Sequence, residues 1–241
     1  MSNPYFRFKQ FTVWHDRCAM KVGTDGVLIG AWCDVVGCRR ILDVGCGTGL
    51  IALMAAQRTA APEVQVDGVE IDAEAAAQAA DNVARSPWSE RIHICCGDFV
   101  DYAAAFQSPR YNLVVSNPPY FEHSLLPDDE ARLTARHTAR LTYASLLQGA
   151  ASLLLPGGHV SLIFPAGIYD AVDAEARRFG FFPRRVAWVS GREGTAPKRV
   201  LAEWGREPVA AVDEQHFSIE TAPLQWTSEY KALTRDFYLQ L

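Results

Sequence analysis

ILDVGCGTG, residues 41–49, is an apolar run carrying one acid that breaks into three alternating glycines. Ile41 is apolar on one face and Leu42 and Val44 on the other, which suits a parallel strand covered on both sides, and turn chemistry follows at once. Leu50, Ile51, Leu53 and Met54 then continue as a helix to about Arg58. A Gly-rich strand-to-helix turn lets a ligand come close to backbone amides at a helix start. The spacing is G-x-G-x-G, however, and departs from the G-x-G-x-x-G dinucleotide pattern. Asp43 supplies a sign, because a carboxylate just before the turn repels a pyrophosphate and welcomes an ammonium. Taken without Asp43, the glycines need mean no more than a tight turn.

Downstream, residues 65–69 read as a second strand ending on Glu70, near the ~20-residue offset at which an acid takes a ribose hydroxyl pair. Asp72 opens an Ala-rich helix that runs toward Pro87, where an N-terminal acid needs no further role. A third strand over 91–95 runs into Gly97, Asp98 and Phe99, an acid and an aromatic suited to bind and cover an adenine. Open α/β sheets bind ligands at such strand ends. The fourth strand lies in YNLVVSNPPY, residues 111–120. Pro118 and Pro119 lack N–H groups and push Asn117 and Pro118 into extended backbone, leaving acceptors free of ladder or helix pairing. Such acceptors suit a planar amino group, with Tyr120 stacking on its ring. In isolation the same residues are a strand-terminating turn.

The flanks complete an α/β chain of one domain: residues 1–32 as a hairpin and helix, 33–206 as a cofactor-binding core, and 207–241 as a C-terminal extension. Phe6, Phe8, Phe11 and Val13 suggest an N-terminal hairpin with one apolar face, and Thr24 or Asp25 caps the helix after it or stands at a cofactor's edge. Residues 121–136 are polar and Pro-broken and read as a loop over the site. Helices are expected over 143–154, 167–179 and 230–241, a fifth strand over 159–164, and an antiparallel hairpin of 186–189 and 199–204 closing the sheet.

Composition is that of a globular protein, with 49% hydrophobic and 21% charged residues over 241 positions. No run has signal-peptide form or approaches the ~20 apolar residues of a spanning helix, so a soluble, cytoplasmic protein is expected. The six cysteines lack C-x-x-C spacing and read as reduced core thiols; the six histidines show no ligand spacing, and no metal is expected. The net charge of -5 is uneven. Residues 61–130 hold 13 acids and 3 bases, while bases gather at Arg7, Lys9, Arg17 and Lys21, over 132–140 and over 177–199. A local anion-binding face and scattered solvated charges are both compatible with that pattern.

Together DVGCGTG, Glu70, Gly97-Asp98 and NPPY resemble the class I S-adenosylmethionine-dependent methyltransferases over roughly 41–204, in the branch that methylates amino groups. MKVGTDGVLIGAW, RHTARLTYASLL and EYKALTRDFYL resemble, more narrowly, the bacterial tRNA (adenine-N6)-methyltransferase family that modifies the adenine 3′ of the anticodon (A37) of valine tRNA. The resemblance implies a Rossmann-like, seven-stranded, mostly parallel sheet and S-adenosylmethionine as cofactor. It implies a cofactor set of Lys21, Thr24, Asp43, Gly45, Cys46, Gly47, Gly49, Glu70, Ile71, Asp98, Phe99 and Asn117. Asn117, Pro118, Pro119 and Tyr120 would be catalytic, and Tyr120, Phe121, Lys198 and Arg199 would meet a tRNA, with the enzyme a monomer. Other amino-group methyltransferases, of rRNA or of release-factor glutamine, share the same core motifs. A nicotinamide dehydrogenase is disfavoured by Asp43 and NPPY, and a non-catalytic RNA-binding module by the completeness of the motif set.

Overall fold

The structure, a computed structural model, describes residues 3–18, 20–59, 61–119 and 141–240. All seven strands expected from sequence are present: β3 (Arg40–Val44), β4 (Gln65–Glu70), β5 (Ile92–Cys96), β6 (Tyr111–Ser116), β7 (Leu154–Pro165), β8 (Phe182–Arg192) and β9 (Pro197–Gly205). Two short strands before them, β1 (Tyr5–Arg7) and β2 (Thr12–Trp14), form the N-terminal hairpin. The expectation of seven strands falls short by two. β10 (Asp213–Ala222) pairs parallel with β8, and β11 (Gln225–Trp226) pairs antiparallel with β10. The sheet order is β11-β10-β8-β9-β7-β6-β3-β4-β5. β9 is antiparallel to both its neighbours, so the β8–β9 hairpin lies inside the sheet and does not close it. β10 went unread because DEQHFSIETA has charged and exposed residues along much of its length, as strands near a sheet edge do.

Successive residues of the central strands pack into different cores. Ile41, Leu113, Val115, Ile163 and Leu201 belong to a core shared with α1 (Thr24–Trp32), α2 (Leu50–Arg58) and the N-terminal hairpin. Leu42, Val44, Val114, Leu162 and Val200 belong to a core with α4 (Phe99–Ala104), α5 (Tyr143–Leu153) and α6 (Tyr169–Arg178). This is why the strands read as unbroken apolar runs. Each fully buried Leu, Ile or Val stabilises the fold by roughly 1.5–3 kcal/mol. α3 (Ala73–Ala84) packs on β4 and β5, and α7 (Ser228–Thr234) on β10 and α1.

Local chemistry sets the helix ends. Asp72 caps α3 by accepting from Glu74 N and Ala75 N, Asp98 caps α4 through Val100 N, and Thr142 closes a capping box with Ser145 on α5. α1 departs from expectation. Its N-cap is Gly23, without a side-chain bond, and Thr24 is the first helical residue. Asp25 instead faces Arg199 Nε across 2.8 Å. The helix expected over 230–241 is the shorter α7, whose Thr234 hydroxyl bonds back to Tyr230 O, after which the chain turns so that Phe237 N meets Thr234 O. The helix expected over 167–179 is a 3-10 turn at Ala166–Ile168 followed by α6. Among the cysteines, Cys33, Cys38 and Cys46 are buried, whereas Cys95 and Cys96 are exposed on β5, contrary to the core reading.

Candidate active site

Strand order reverses between β3 and β6: the chain leaves β3 toward β4 on one side and returns to place β6 on the other. The loops after those two strands diverge, and the crevice they leave is where open α/β sheets take ligands. A cavity of ≈ 270 Å³ lies there, near the small end of ligand sites, ~300–1,000 Å³. Gly45 and Gly47 line it from the Gly-rich loop, Glu70 and Ile71 from the end of β4, Gly97, Asp98 and Phe99 from the end of β5, and Asn117 and Pro119 from the end of β6. Four segments separated in sequence thus meet on one cavity.

Each wall has a physical cause. Gly45 and Gly47 have φ of 68° and 53°, left-handed backbone in which a side chain is strained. A Cβ on either would meet nothing within 4 Å, so the loop leaves open space for a ligand. Glu70 is held at both oxygens, Oε2 accepting from Gly47 N at 2.8 Å and Oε1 from Asp72 N at 3.0 Å. Asp98 Oδ1 accepts from Val100 N at 2.6 Å, which fixes the carboxylate in the cavity wall. Phe99 is 5% exposed and rests on α5, where a Cβ on Gly149 would come within 2.5 Å of its ring. Ser116 Oγ donates to Val44 O at 2.6 Å and locks the end of β6 to the end of β3.

Asp43 lies just behind this wall, fully buried. Its Oδ2 accepts from Ala52 N at 3.0 Å, and its Oδ1 has no partner among the described residues. Burial lifts its pKa from 3.8 to about 7, with the Ala52 amide opposing and the Glu70 charge adding to the rise. Among the described residues, the side chains lining the cavity include Glu70 and Asp98 but no Lys or Arg. That charge set, with a partnerless buried carboxylate oxygen behind it, fits a ligand carrying an ammonium or sulfonium and disfavours a pyrophosphate.

Other residues singled out from sequence fall elsewhere. Cys46 is buried with its sulfur against Gly68, and Gly49 is the N-cap of α2, packed on Ala79, so neither lines the cavity. Pro118 is buried between Asn117 and Pro119. Lys21 is exposed beside Met20, which does line the cavity, while Thr24 lies on a different one. Lys198 is exposed on β9, and Arg199 reaches Asp25. Tyr120, Phe121 and the loop 121–136 lie outside the described residues. Met20 and Leu141 were not read as site residues, although they lie within MKVGTDGVLIGAW and RHTARLTYASLL; each reaches the cavity through long-range folding. No group of His, Cys, Asp and Glu able to hold a metal occurs among the described residues, and no helix among them is long and apolar enough to cross a membrane.

Comparison with known proteins agrees with this geometry. A Methyltransferase small domain model matches residues 34–166. The chain is 48% identical to a tRNA1(Val) (adenine(37)-N6)-methyltransferase of Bacteroides thetaiotaomicron over 100% of both chains. In fold it resembles a predicted O-methyltransferase of Agrobacterium tumefaciens, with a TM-score of 0.65, 20% identity, and 88% of this chain and 96% of that one covered. It also resembles the [4+2]-cyclase SpnF, with a TM-score of 0.55, 18% identity, and 80% and 90% covered, so the architecture alone does not select a reaction. Full-length identity does what the architecture cannot, and by it this chain belongs to the family of the tRNA1(Val) (adenine(37)-N6)-methyltransferases.

Proposed function

We propose that this protein transfers a methyl group from S-adenosylmethionine to N6 of adenine 37 in valine tRNA. The observation that carries the reading is that Asn117, at the end of β6, shares one acid-walled cavity with Glu70 and Asp98. The names of its full-length relatives support the same substrate.

When bound, S-adenosylmethionine supplies an electrophilic methyl on a positively charged sulfur. Glu70, fixed by two amides, has lone pairs left for a ribose hydroxyl pair, and Asp98, with one oxygen on Val100 N, keeps the other for an exocyclic amino group. Phe99 and Ile71 give apolar walls to a flat ring. Asp43 offers its unsatisfied oxygen toward the amino-acid end. Gly45 and Gly47 bring the backbone close, as a side chain there would fill the space.

The target adenine leaves the RNA stack to be read in the site, as single-stranded loop bases do. Its N6 is a weak nucleophile because the lone pair is delocalised into the ring. The Asn117 side-chain oxygen and the Pro118 carbonyl accept its two hydrogens, localise the lone pair and stabilise the positive charge that develops. Tyr120 or Phe121 stacks the ring and aims it. Lys198 serves the RNA backbone, and Arg199 beside it is held by Asp25. Among the described lining residues the acids are Glu70 and Asp98, and both accept from backbone amides, so orientation and charge stabilisation do the work of a base.

The test is methyl transfer from labelled cofactor to valine tRNA, other tRNAs, rRNA and release factors. Label confined to adenine 37 of valine tRNA is the expected result. Transfer only to rRNA or to a protein glutamine overturns the reading.

A further inference from the structure

A second cavity, of ≈ 660 Å³, opens between the N-terminal hairpin and the C-terminal segment. Its walls include Phe6 and Arg7 of β1, Thr24 of α1, Trp226 of β11, and Tyr238 and Gln240. Nothing in the chemistry above uses it.

Phe6 departs from its hairpin. Phe8, Phe11 and Val13 are 1%, 6% and 0% exposed, but Phe6 is 36% exposed. It is backed by Phe8 at 4.8 Å and by the edge of Tyr238 at 5.8 Å between ring centroids. An aromatic face is therefore held in place while remaining accessible. Around it, the Arg7 guanidinium, the Thr24 hydroxyl and the Gln240 amide make no hydrogen bond or ion pair with any described residue. The nearby acid is engaged, since Glu220 accepts from Leu224 N at 3.4 Å and faces Arg192 at 4.0 Å.

The cavity also faces the right edge of the sheet. Glu220 stands opposite Arg192 at the carboxyl end of β8, and β8 runs parallel to β7 and β6, whose carboxyl end carries Asn117. Met20 lines the first cavity and Thr24 the second, and with three residues between them their Cα atoms are at most ~14 Å apart. A few nucleotides of single strand span that distance.

An accessible ring beside a cation, a hydroxyl and an amide without partners among the described residues is the chemistry of a nucleotide: base on ring, phosphate on guanidinium, base edge on hydroxyl or amide. An apolar peptide anchor satisfies the ring alone and leaves the polar groups unpaired. We propose that this cavity takes an unpaired base of the same RNA, near the target adenine, stacked on Phe6 with its phosphate on Arg7. The inference rests on the RNA reading of the first site and extends it to a second contact that fixes register.

The test uses the full chain and anticodon-arm RNAs carrying 2-aminopurine singly at each loop position other than the target. At one position the wild type is expected to quench the probe, with the quench lost in Phe6→Leu, which keeps an apolar side chain but no flat face. KM for RNA should rise about tenfold in Phe6→Leu and Arg7→Ala with kcat within about twofold, as loss of one stacked or paired nucleotide implies. Arg7→Lys should recover most of the loss, and melting temperature and cofactor affinity should not move. Quenching that persists in Phe6→Leu, or an unchanged KM in both variants, overturns the second site while methylation stands. A wild type that binds no anticodon-arm RNA overturns both readings.

Discussion

Glu70 Oε2 accepts the Gly47 amide at 2.8 Å, so the acid that ends β4 also pins the Gly-rich loop after β3. One carboxylate thereby serves two ends. Glu70→Gln keeps one oxygen for the Gly47 amide but turns its NH2 toward the Asp72 amide and loses the charge, whereas Glu70→Ala removes both acceptors. The Gln variant is expected to bind S-adenosylhomocysteine about tenfold more weakly with only a small drop in melting temperature. The Ala variant should melt a few degrees lower, since the part-buried Gly47 amide loses its partner at a cost of about 1 kcal/mol. Calorimetry and thermal melts read both, and equal stability losses in the two variants contradict the shared role.

Asp43 links the site to pH. Its folded pKa is raised from 3.8 to about 7, so between those values the folded state holds a proton that the unfolded chain has released. Its contribution to stability is therefore fully present below about pH 3.8 and is lost as pH rises through about 7. A bound ammonium favours the ionised form. Affinity for S-adenosylhomocysteine should rise through pH 7 as Asp43 ionises while the ligand's ammonium keeps its charge. In Asp43→Asn, which can still accept from Ala52 N, this rise should vanish. A flat wild-type profile between about pH 6 and 8 rules out the contact.

Asn117 separates binding from chemistry. Asn117→Ala removes an acceptor for the target amino group and leaves Glu70, Asp98 and the loop in place, so transfer should fall by ~10²–10³, the worth of one preorganised hydrogen-bonding group in a transition state. Cofactor affinity should change by less than about threefold. Single-turnover transfer with calorimetry checks this, and turnover within tenfold of the wild type assigns Asn117 to the turn alone.

Much of this was legible because the cavity-lining groups sit at strand ends, where local chemistry interrupts an apolar run: Gly45, Glu70, Asp98 and Asn117 all break such a pattern. Met20 and Leu141 break none and reach the cavity only through the topology. Thr24 looked like a cap, yet Gly23 takes that place and Asp25 turns to Arg199, a partner 174 residues away that no local reading finds. β10 was hidden by its own polarity. Phe6 was assigned to the buried face by alternation, and only the packing of Phe8 and Tyr238 behind it shows the ring exposed.

Lys198 and Arg199 are neighbours with different expected roles. Arg199 Nε meets Asp25 Oδ2 at 2.8 Å with both side chains partly buried, so Arg199→Ala should cost about 1 kcal/mol, or roughly 2–4 °C in melting temperature. Lys198 is exposed. Lys198→Ala should leave the melt unchanged and flatten the slope of log affinity for tRNA against log salt by about 0.7–0.9, one phosphate contact. An unchanged salt slope removes Lys198 from the RNA face.

Gly149 tests the adenine wall from behind. On an exposed helix Gly→Ala gains about 1 kcal/mol, but here the added Cβ lies 2.5 Å and 2.7 Å from two Phe99 ring carbons, and overpacking a core costs typically 1–3 kcal/mol. The clash should win, because Gly149 is buried on α5 and Phe99 is only 5% exposed, leaving the ring one open direction, into the cavity it lines. Gly149→Ala should therefore melt lower and also bind S-adenosylhomocysteine several-fold more weakly, although residue 149 does not line that cavity. The methionine end gives the control, since affinity for free methionine should not change. A destabilised variant with undiminished cofactor affinity means that Phe99 yields elsewhere and is not the wall of the adenine subsite.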